Sequence, residues 1–214
     1  AGGCVRDKLR GLEPKDIDIA TSATPAQVLE VFPGGNSIGS QFGVILVSAG
    51  GCPFEVATFC EDGEYHDGRN PEGVRYSTPE KDAQRRDFTI NGLFEDPWTG
   101  EIIDYVGGKE DLTNQLIRAI GDPVRRFEED ALRLMRAVRF AVVTGFSIEK
   151  RTWAAIGECS GLLARVSMER IREELVKILL SPARADGLDM LMDSGLMRHI
   201  IPEMYETVGC AQPP

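Results

Sequence analysis

The amino-acid sequence predicts an α+β fold, and three observations carry that expectation. Short runs with β-type alternation, cut by glycine or proline, fill the chain up to about Pro123. From about Phe127 the pattern changes to longer segments with helical spacing. The third is Lys15-Asp16-Ile17-Asp18-Ile19-Ala20-Thr21, about ten residues after Gly2-Gly3-Cys4-Val5-Arg6-Asp7. In an extended Asp16–Thr21 segment, period two sends Asp16 and Asp18 to one face and Ile17 and Ile19 to the other, buried one.

Two carboxylates on one face repel unless a cation lies between them, and Mg²⁺ suits such a pair because it completes its shell with water and phosphate oxygens. The alternative is an exposed edge strand with solvated acids. The glycine pair upstream favours the metal, since Gly2-Gly3 lets backbone N–H groups approach a phosphate and Arg6 supplies a fork for its oxygens.

Composition narrows the class. At 214 residues the chain has ample core for one large or two modest domains, and no apolar run approaches the roughly 18 residues of a membrane span. Five scattered cysteines (Cys4, Cys52, Cys60, Cys159, Cys210) without a C-x-x-C pair argue against a disulfide framework or zinc site and point to a reducing cytoplasm. His66 and His199 lack a triad context, which speaks against nucleophilic catalysis. The chain opens at Ala1 directly on the glycine motif and reads as a fragment. Net charge is −10, yet Arg125 to Arg184 holds 12 basic and 8 acidic residues, so a polyanion should meet that segment.

Thr24-Pro25 predicts the start of a short helix that Pro33-Gly34-Gly35 closes. Ser37 to Val47 and Pro53 to Cys60 read as antiparallel strands, with Glu55 either exposed or facing the aspartates as a third carboxylate. Glu61 to Asp82 is a long polar connection expected to move with substrate. Arg85-Arg86-Asp87-Phe88-Thr89-Ile90-Asn91 is either a helix start with salt bridges or a phosphate and ribose contact. Glu101 to Tyr105 makes a short strand, broken by Gly107-Gly108. A helix is expected over Glu128–Thr144, ended by Gly145, with Asp130, Arg133, Arg136 and Arg139 at spacing three. Asp130 beside Arg133 is an intrahelical ion pair or a base reader: carboxylate and guanidinium match the donor/acceptor edge that cytosine and adenine share and that uracil and guanine reverse. Further helices run from Ile148 towards Gly157 and from an N-cap at Ser167, burying Met168, Ile171, Leu175 and Ile178; Ala183 to Met204 reads as a helix pair.

With these residues in view, the chain resembles the class II tRNA nucleotidyltransferase and bacterial poly(A) polymerase family. The resemblance rests on five segments in order: G-G-x-V-R-D at Gly2–Asp7, D-x-D at Asp16 and Asp18, R-R-D-F-T-I-N at Arg85–Asn91, E-D-x-x-R at Glu129–Arg133, and E-R-x-x-x-E-L at Glu169–Leu175. It implies a nucleotidyltransferase head with a small mixed, mostly antiparallel sheet over residues 1–123, an all-α neck over 124–182, and the start of a helical body over 183–214. It implies two Mg²⁺ ions on Asp16 and Asp18, with Asp87 or Glu55 as a further acid. Gly3 and Arg6 would meet the triphosphate; Arg85 and Arg86, with Asn91 in the same segment, the phosphate or ribose; Asp130 and Arg133 the base, with Arg136 and Arg139 nearby. Cys60 stands where the family commonly has arginine.

The expected activity is transfer of AMP or CMP from ATP or CTP to a tRNA 3′ end. Tyr65 to Pro71 resembles the flexible loop of A-adding members, which ranks CCA or terminal-A addition above poly(A) tailing. A silent nucleotide- or RNA-binding module is the alternative from another class, though it leaves the paired carboxylates unexplained.

Overall fold

The computed structural model describes residues 1–37, 43–62 and 74–211. They form two compact units that divide between Asn114 and Gln115.

In the first unit, α1 (Gly3–Leu9) follows the glycine pair, then β1 (Asp18–Thr21) and α2 (Pro25–Val31). Thr24 caps α2 through a reciprocal pair with Gln27, with Pro25 at the position where a missing N–H costs nothing. β2 (Asn36–Ser37), β3 (Val44–Ala49) and β4 (Cys52–Thr58) complete a sheet of order β1-β4-β3-β2. β1 runs parallel to β4; the other pairs are antiparallel. The β3–β4 hairpin turns through Gly50 and Gly51, both at positive φ. Val28 of α2 packs on Ile45, Val47 and Val56, so one face of the sheet is covered.

β5 (Cys60–Asp62) and β6 (Val74–Tyr76) form an antiparallel pair, followed by α3 (Pro79–Gln84). The loop expected at Tyr65–Pro71 lies outside the described residues, as do residues 38–42 of the expected Ser37–Val47 strand. A 3₁₀ turn at Thr89–Asn91 leads into the hairpin of β7 (Leu93–Glu95) and β8 (Ile102–Asp104), then α4 (Gly108–Thr113). Asp104 accepts N–H bonds from Val106, Gly107, Gly108 and Lys109 at 2.9–3.0 Å, which fixes the start of α4.

In the second unit, β9 (Leu116–Ile117) precedes α5 (Pro123–Glu129) and α6 (Leu132–Thr144); β10 (Ser147–Ile148) pairs in parallel with β9. That pairing draws the chain from Gln115 onward into this unit, so the split falls ahead of Pro123. α7 (Lys150–Cys159), α8 (Met168–Leu179) and α9 (Arg184–Asp193) follow, with α8 and α9 packed against α6. The second member of the expected Ala183–Met204 helix pair is instead two 3₁₀ turns, Leu196–His199 and Pro202–Thr207.

Two further expectations are corrected here. The Glu128–Thr144 helix is broken: Asp130 is extended (φ −147°, ψ 103°) between α5 and α6, because its Oδ1 accepts the Leu132 N–H and starts a new helix. On α8, Ile171, Glu174 and Ile178 form the buried stripe, while Met168, at the helix's first position, is 56% exposed; Ser167 stands before it without a side-chain cap bond. No helix among the described residues is long and apolar enough to cross a membrane.

Candidate active site

Asp16 sits in a bend just before β1, and Asp18 is the first residue of the strand. Asp18 pairs in register with Glu55 on β4, and in a parallel pair partners project to one side. Asp16, Asp18 and Glu55 line one open cleft of about 390 Å³ together with Lys15, Leu46 and Phe54. All three acids are exposed. Asp16 and Asp18 have no ion pair among the described residues.

Ile17 and Ile19, expected to be buried, are 52% and 41% exposed. β1 is an edge strand, covered by β4 on one side alone, and both isoleucines line a second, largely apolar cleft with Phe59, Phe94 and Trp98.

Among the described residues no three His, Cys, Asp or Glu side chains are grouped so that together they could hold a metal ion. The cleft instead offers an open, oxygen-only donor set on Asp16 and Asp18. That set fits Mg²⁺, which binds through one or two carboxylates and keeps positions for water and phosphate.

The glycine and double-arginine segments meet in one network. The Ala1 nitrogen donates to the Asp18 carbonyl at 2.7 Å, which seats the glycine pair beside the acid strand. Gly2 has φ +71°, and a Cβ there would stand 2.6 Å from Arg86 Nη1. Arg86 Nη1 also donates to the Asn91 carbonyl at 3.2 Å, and its guanidinium lies over the Phe94 ring. Arg6 Nη1 donates to Asn91 Oδ1 at 2.7 Å, while its Nε and Nη2 hold Asp7. Asn91 Nδ2 in turn donates to Asp87 at 3.0 Å. Asn91 thus joins Arg6 to the double-arginine segment across 85 residues of sequence.

Asp87 does not join the acid cleft. It is 7% exposed, and its Oδ1 accepts from the Phe88 N–H and Asn91 Nδ2, so it braces the segment that carries Arg85, Arg86 and Asn91. Glu55, not Asp87, shares the cleft with the aspartates.

In the second unit, Asp130 and Arg133 do not form the expected side-by-side pair, since Asp130 lies in the helix break. Arg170 Nη2 of α8 reaches both Asp130 oxygens at 3.0 and 3.3 Å. Arg133 Nη1 donates to Glu129 Oε2 at 2.7 Å and to the Arg126 carbonyl at 3.0 Å. Arg139 Nε lies 2.5 Å from the buried Glu174 Oε2, and its guanidinium covers the Phe140 ring, which Arg136 flanks from further out. Arg170 and Glu174, one turn apart on α8, therefore anchor the two ends of the Asp130–Arg139 stretch.

Sequence reasoning missed Asp82, which binds both Arg85 and Arg86; the signal was its spacing of three and four residues ahead of them on a proline-started helix. It also left Arg170 and Glu174 without partners, because those partners come from another helix.

Two family models match the chain: "Poly A polymerase head domain" over residues 1–118 and "Probable RNA and SrmB-binding site of polymerase A" over residues 145–207. A CCA-adding enzyme of Geobacillus sp. (strain WCH70) is 44% identical over 200 residues, 93% of this chain and 49% of the relative. The crystal structure of the Bacillus stearothermophilus CCA-adding enzyme in complex with CTP is similar with a TM-score of 0.84 at 41% identity, covering 91% of this chain and 47% of that one. A tRNA nucleotidyltransferase complexed with a primer tRNA and an incoming ATP analog matches with a TM-score of 0.76 at 29% identity, over 94% of this chain and 58% of its own. The chain spans about half the length of the curated relatives it matches.

Proposed function

Since the chain belongs to the class II tRNA nucleotidyltransferase and poly(A) polymerase family, we propose that the protein transfers AMP or CMP from ATP or CTP to the 3′ end of tRNA, as CCA or terminal-A addition. One observation carries the reading. An open aspartate pair, without ion-pair partners among the described residues, lies next to a glycine turn against which the Arg86 guanidinium is held. A triphosphate needs cations on one side and a metal-binding edge on the other.

Asp16 and Asp18 would hold two Mg²⁺ ions, which when bound would lower the pKa of the attacking hydroxyl and offset charge on the leaving group. The chain's own residues bind and orient. Gly2 and Gly3 admit the phosphates to the backbone, Arg6 and Arg86 neutralise their oxygens, and Asn91 sets the spacing between those two guanidiniums. The RNA 3′-oxygen bonds to the α-phosphorus as the bond to the β-phosphate bridge breaks. Pyrophosphate leaves with the electron pair, and the hydroxyl proton passes to water. In the second unit, Asp130 as acceptor and Arg133 as donor remain the proposed readers of C and A, with Arg136 and Arg139 framing them. A cytoplasmic location, alongside the tRNA it extends, belongs to the same proposal.

The test uses the full-length protein with Mg²⁺, ATP and CTP singly and together, and tRNA transcripts ending at the discriminator base, at C and at CC. Growth of all three to CCA supports CCA addition; one A on the CC end alone marks a terminal-A enzyme. Long A ladders on unrelated RNA transfer the reading to poly(A) polymerase, and no extension leaves the silent binding module. Asp16→Ala or Asp18→Ala should abolish transfer with an unchanged melting curve; normal turnover would refute the metal assignment.

A further inference from the structure

Asp82, on α3, is 2% exposed. A carboxylate this deep is costly unless its lone pairs are met. Here Oδ1 accepts from Arg85 Nε at 2.9 Å and from the Cys60 N–H at 3.4 Å, and Oδ2 accepts from Arg86 Nη2 at 3.1 Å and Nε at 3.3 Å. The Cys60 thiol lies 3.8 Å from Oδ1. Each oxygen therefore serves one arginine, and the Cys60 contacts tie the carboxylate to β5.

We infer that Asp82 is the positioning residue that presents Arg85 and Arg86 to the triphosphate of the incoming nucleotide, an inference that rests on the function proposed above. Consecutive guanidiniums repel each other, and long side chains at a helix end have wide rotamer freedom. One buried anion between them removes both difficulties: it screens the pair, fixes one edge of each fork and leaves the trio with a net positive charge. A guanidinium carries five N–H donors, so bonds to one carboxylate do not exhaust it. The consequence is visible at Gly2, where a Cβ would stand 2.6 Å from Nη1 of Arg86, so that a side chain there would have to push the Asp82-anchored guanidinium aside. Among the described residues the hydrogen-bond partners of Asp82 are Cys60, Arg85 and Arg86, and it acts through the arginines.

The experiment compares the full-length protein with Asp82→Asn and Asp82→Glu, reading KM for ATP and CTP, KM for tRNA, kcat, and binding of NTP against the matching NMP. Asp82→Asn should raise KM for NTP about 10- to 100-fold, leave KM for tRNA within about twofold, and weaken triphosphate binding far more than monophosphate binding. Asp82→Glu should recover part of the loss. In an Arg85→Gln/Arg86→Gln background the Asp82→Asn effect should nearly vanish, since the groups it acts through are gone. Equal weakening towards NTP, NMP and tRNA, or full additivity with the arginine changes, overturns the proposal. So does loss of the cooperative thermal transition in both Asp82 variants, which would make Asp82 a structural core group. If the unaltered protein neither binds NTP nor extends RNA, the functional reading itself fails, and that result is separate from any effect of Asp82.

Discussion

Gly108→Ala tests how tightly α4 is docked on the Thr89–Asn91 turn. A Cβ at Gly108 would lie 2.2 Å from the Thr89 carbonyl oxygen, 2.9 Å from Leu93 Cδ2 and 3.0 Å from the Thr89 carbonyl carbon. A relaxed carbon–oxygen contact needs about 3.3 Å or more, so the helix and the turn must part by roughly 1 Å. Both sides are anchored. Thr89 Oγ1 donates to the buried Asp111 Oδ2 at 2.7 Å, and Asp104 holds the Gly108 N–H at 3.0 Å. Overpacking of this kind costs about 1–3 kcal/mol, and stretching the buried Thr89–Asp111 bond adds about 1–3 kcal/mol. The helix propensity gained from alanine offsets up to about 1 kcal/mol. A net loss of about 2–4 kcal/mol should lower Tm by about 5–15 °C for a domain of this size. The shift also moves Asn91 and so weakens NTP binding. Circular dichroism melts with a parallel binding titration measure both. A Tm unchanged or raised, as propensity alone would give, refutes the docking argument.

Gly2→Ala places a side chain where Arg86 lies, on a backbone at φ +71° and ψ −126° that only glycine tolerates well; it should cost about 1–3 kcal/mol and weaken NTP binding, and unaltered binding by titration would count against the glycine turn as phosphate seat. Asp130→Ala should relax discrimination of C and A against U and G in single-nucleotide extension assays; unchanged selectivity would return Asp130 to its role as partner of Arg170 and acceptor of the Leu132 N–H at the break before α6. Acid should destabilise both units. Burial alone would push Asp104 up, yet the N–H groups of Lys109, Val106, Gly108 and Gly107 hold it below its ordinary 3.8; Glu149 likewise, against burial, is held below 4.5 by Thr152, Arg151 and Arg118. Folded-state values below the unfolded ones mean the stabilisation is complete above the ordinary carboxylate range and is lost as pH falls through and beneath it. Melting curves from pH 6 down to about 2.5 should therefore fall steeply at the acid end, and Asp104→Asn should flatten that fall for the first unit; an equally steep limb in the variant would exclude Asp104 as a source.

What the sequence determined by itself is local. Thr24-Pro25 and Gly145 mark helix ends, Pro53 to Cys60 reads as a strand, and the D-x-D, double-arginine and E-D-x-x-R segments point to the chemistry, because periodicity, capping and motif spacing depend on near neighbours. The tertiary structure decided the partners. Ile17 and Ile19 are half-exposed because β1 is a sheet edge, which alternation along one strand does not encode. Glu55 joins the acids through register with β4, while Asp87, next to two arginines in sequence, turns inward to Asn91. Asp130 leaves its helix and meets Arg170, forty residues away. A polar side chain finds its partner by the packing of distant elements, and that packing depends on the whole core, not on the residues beside it.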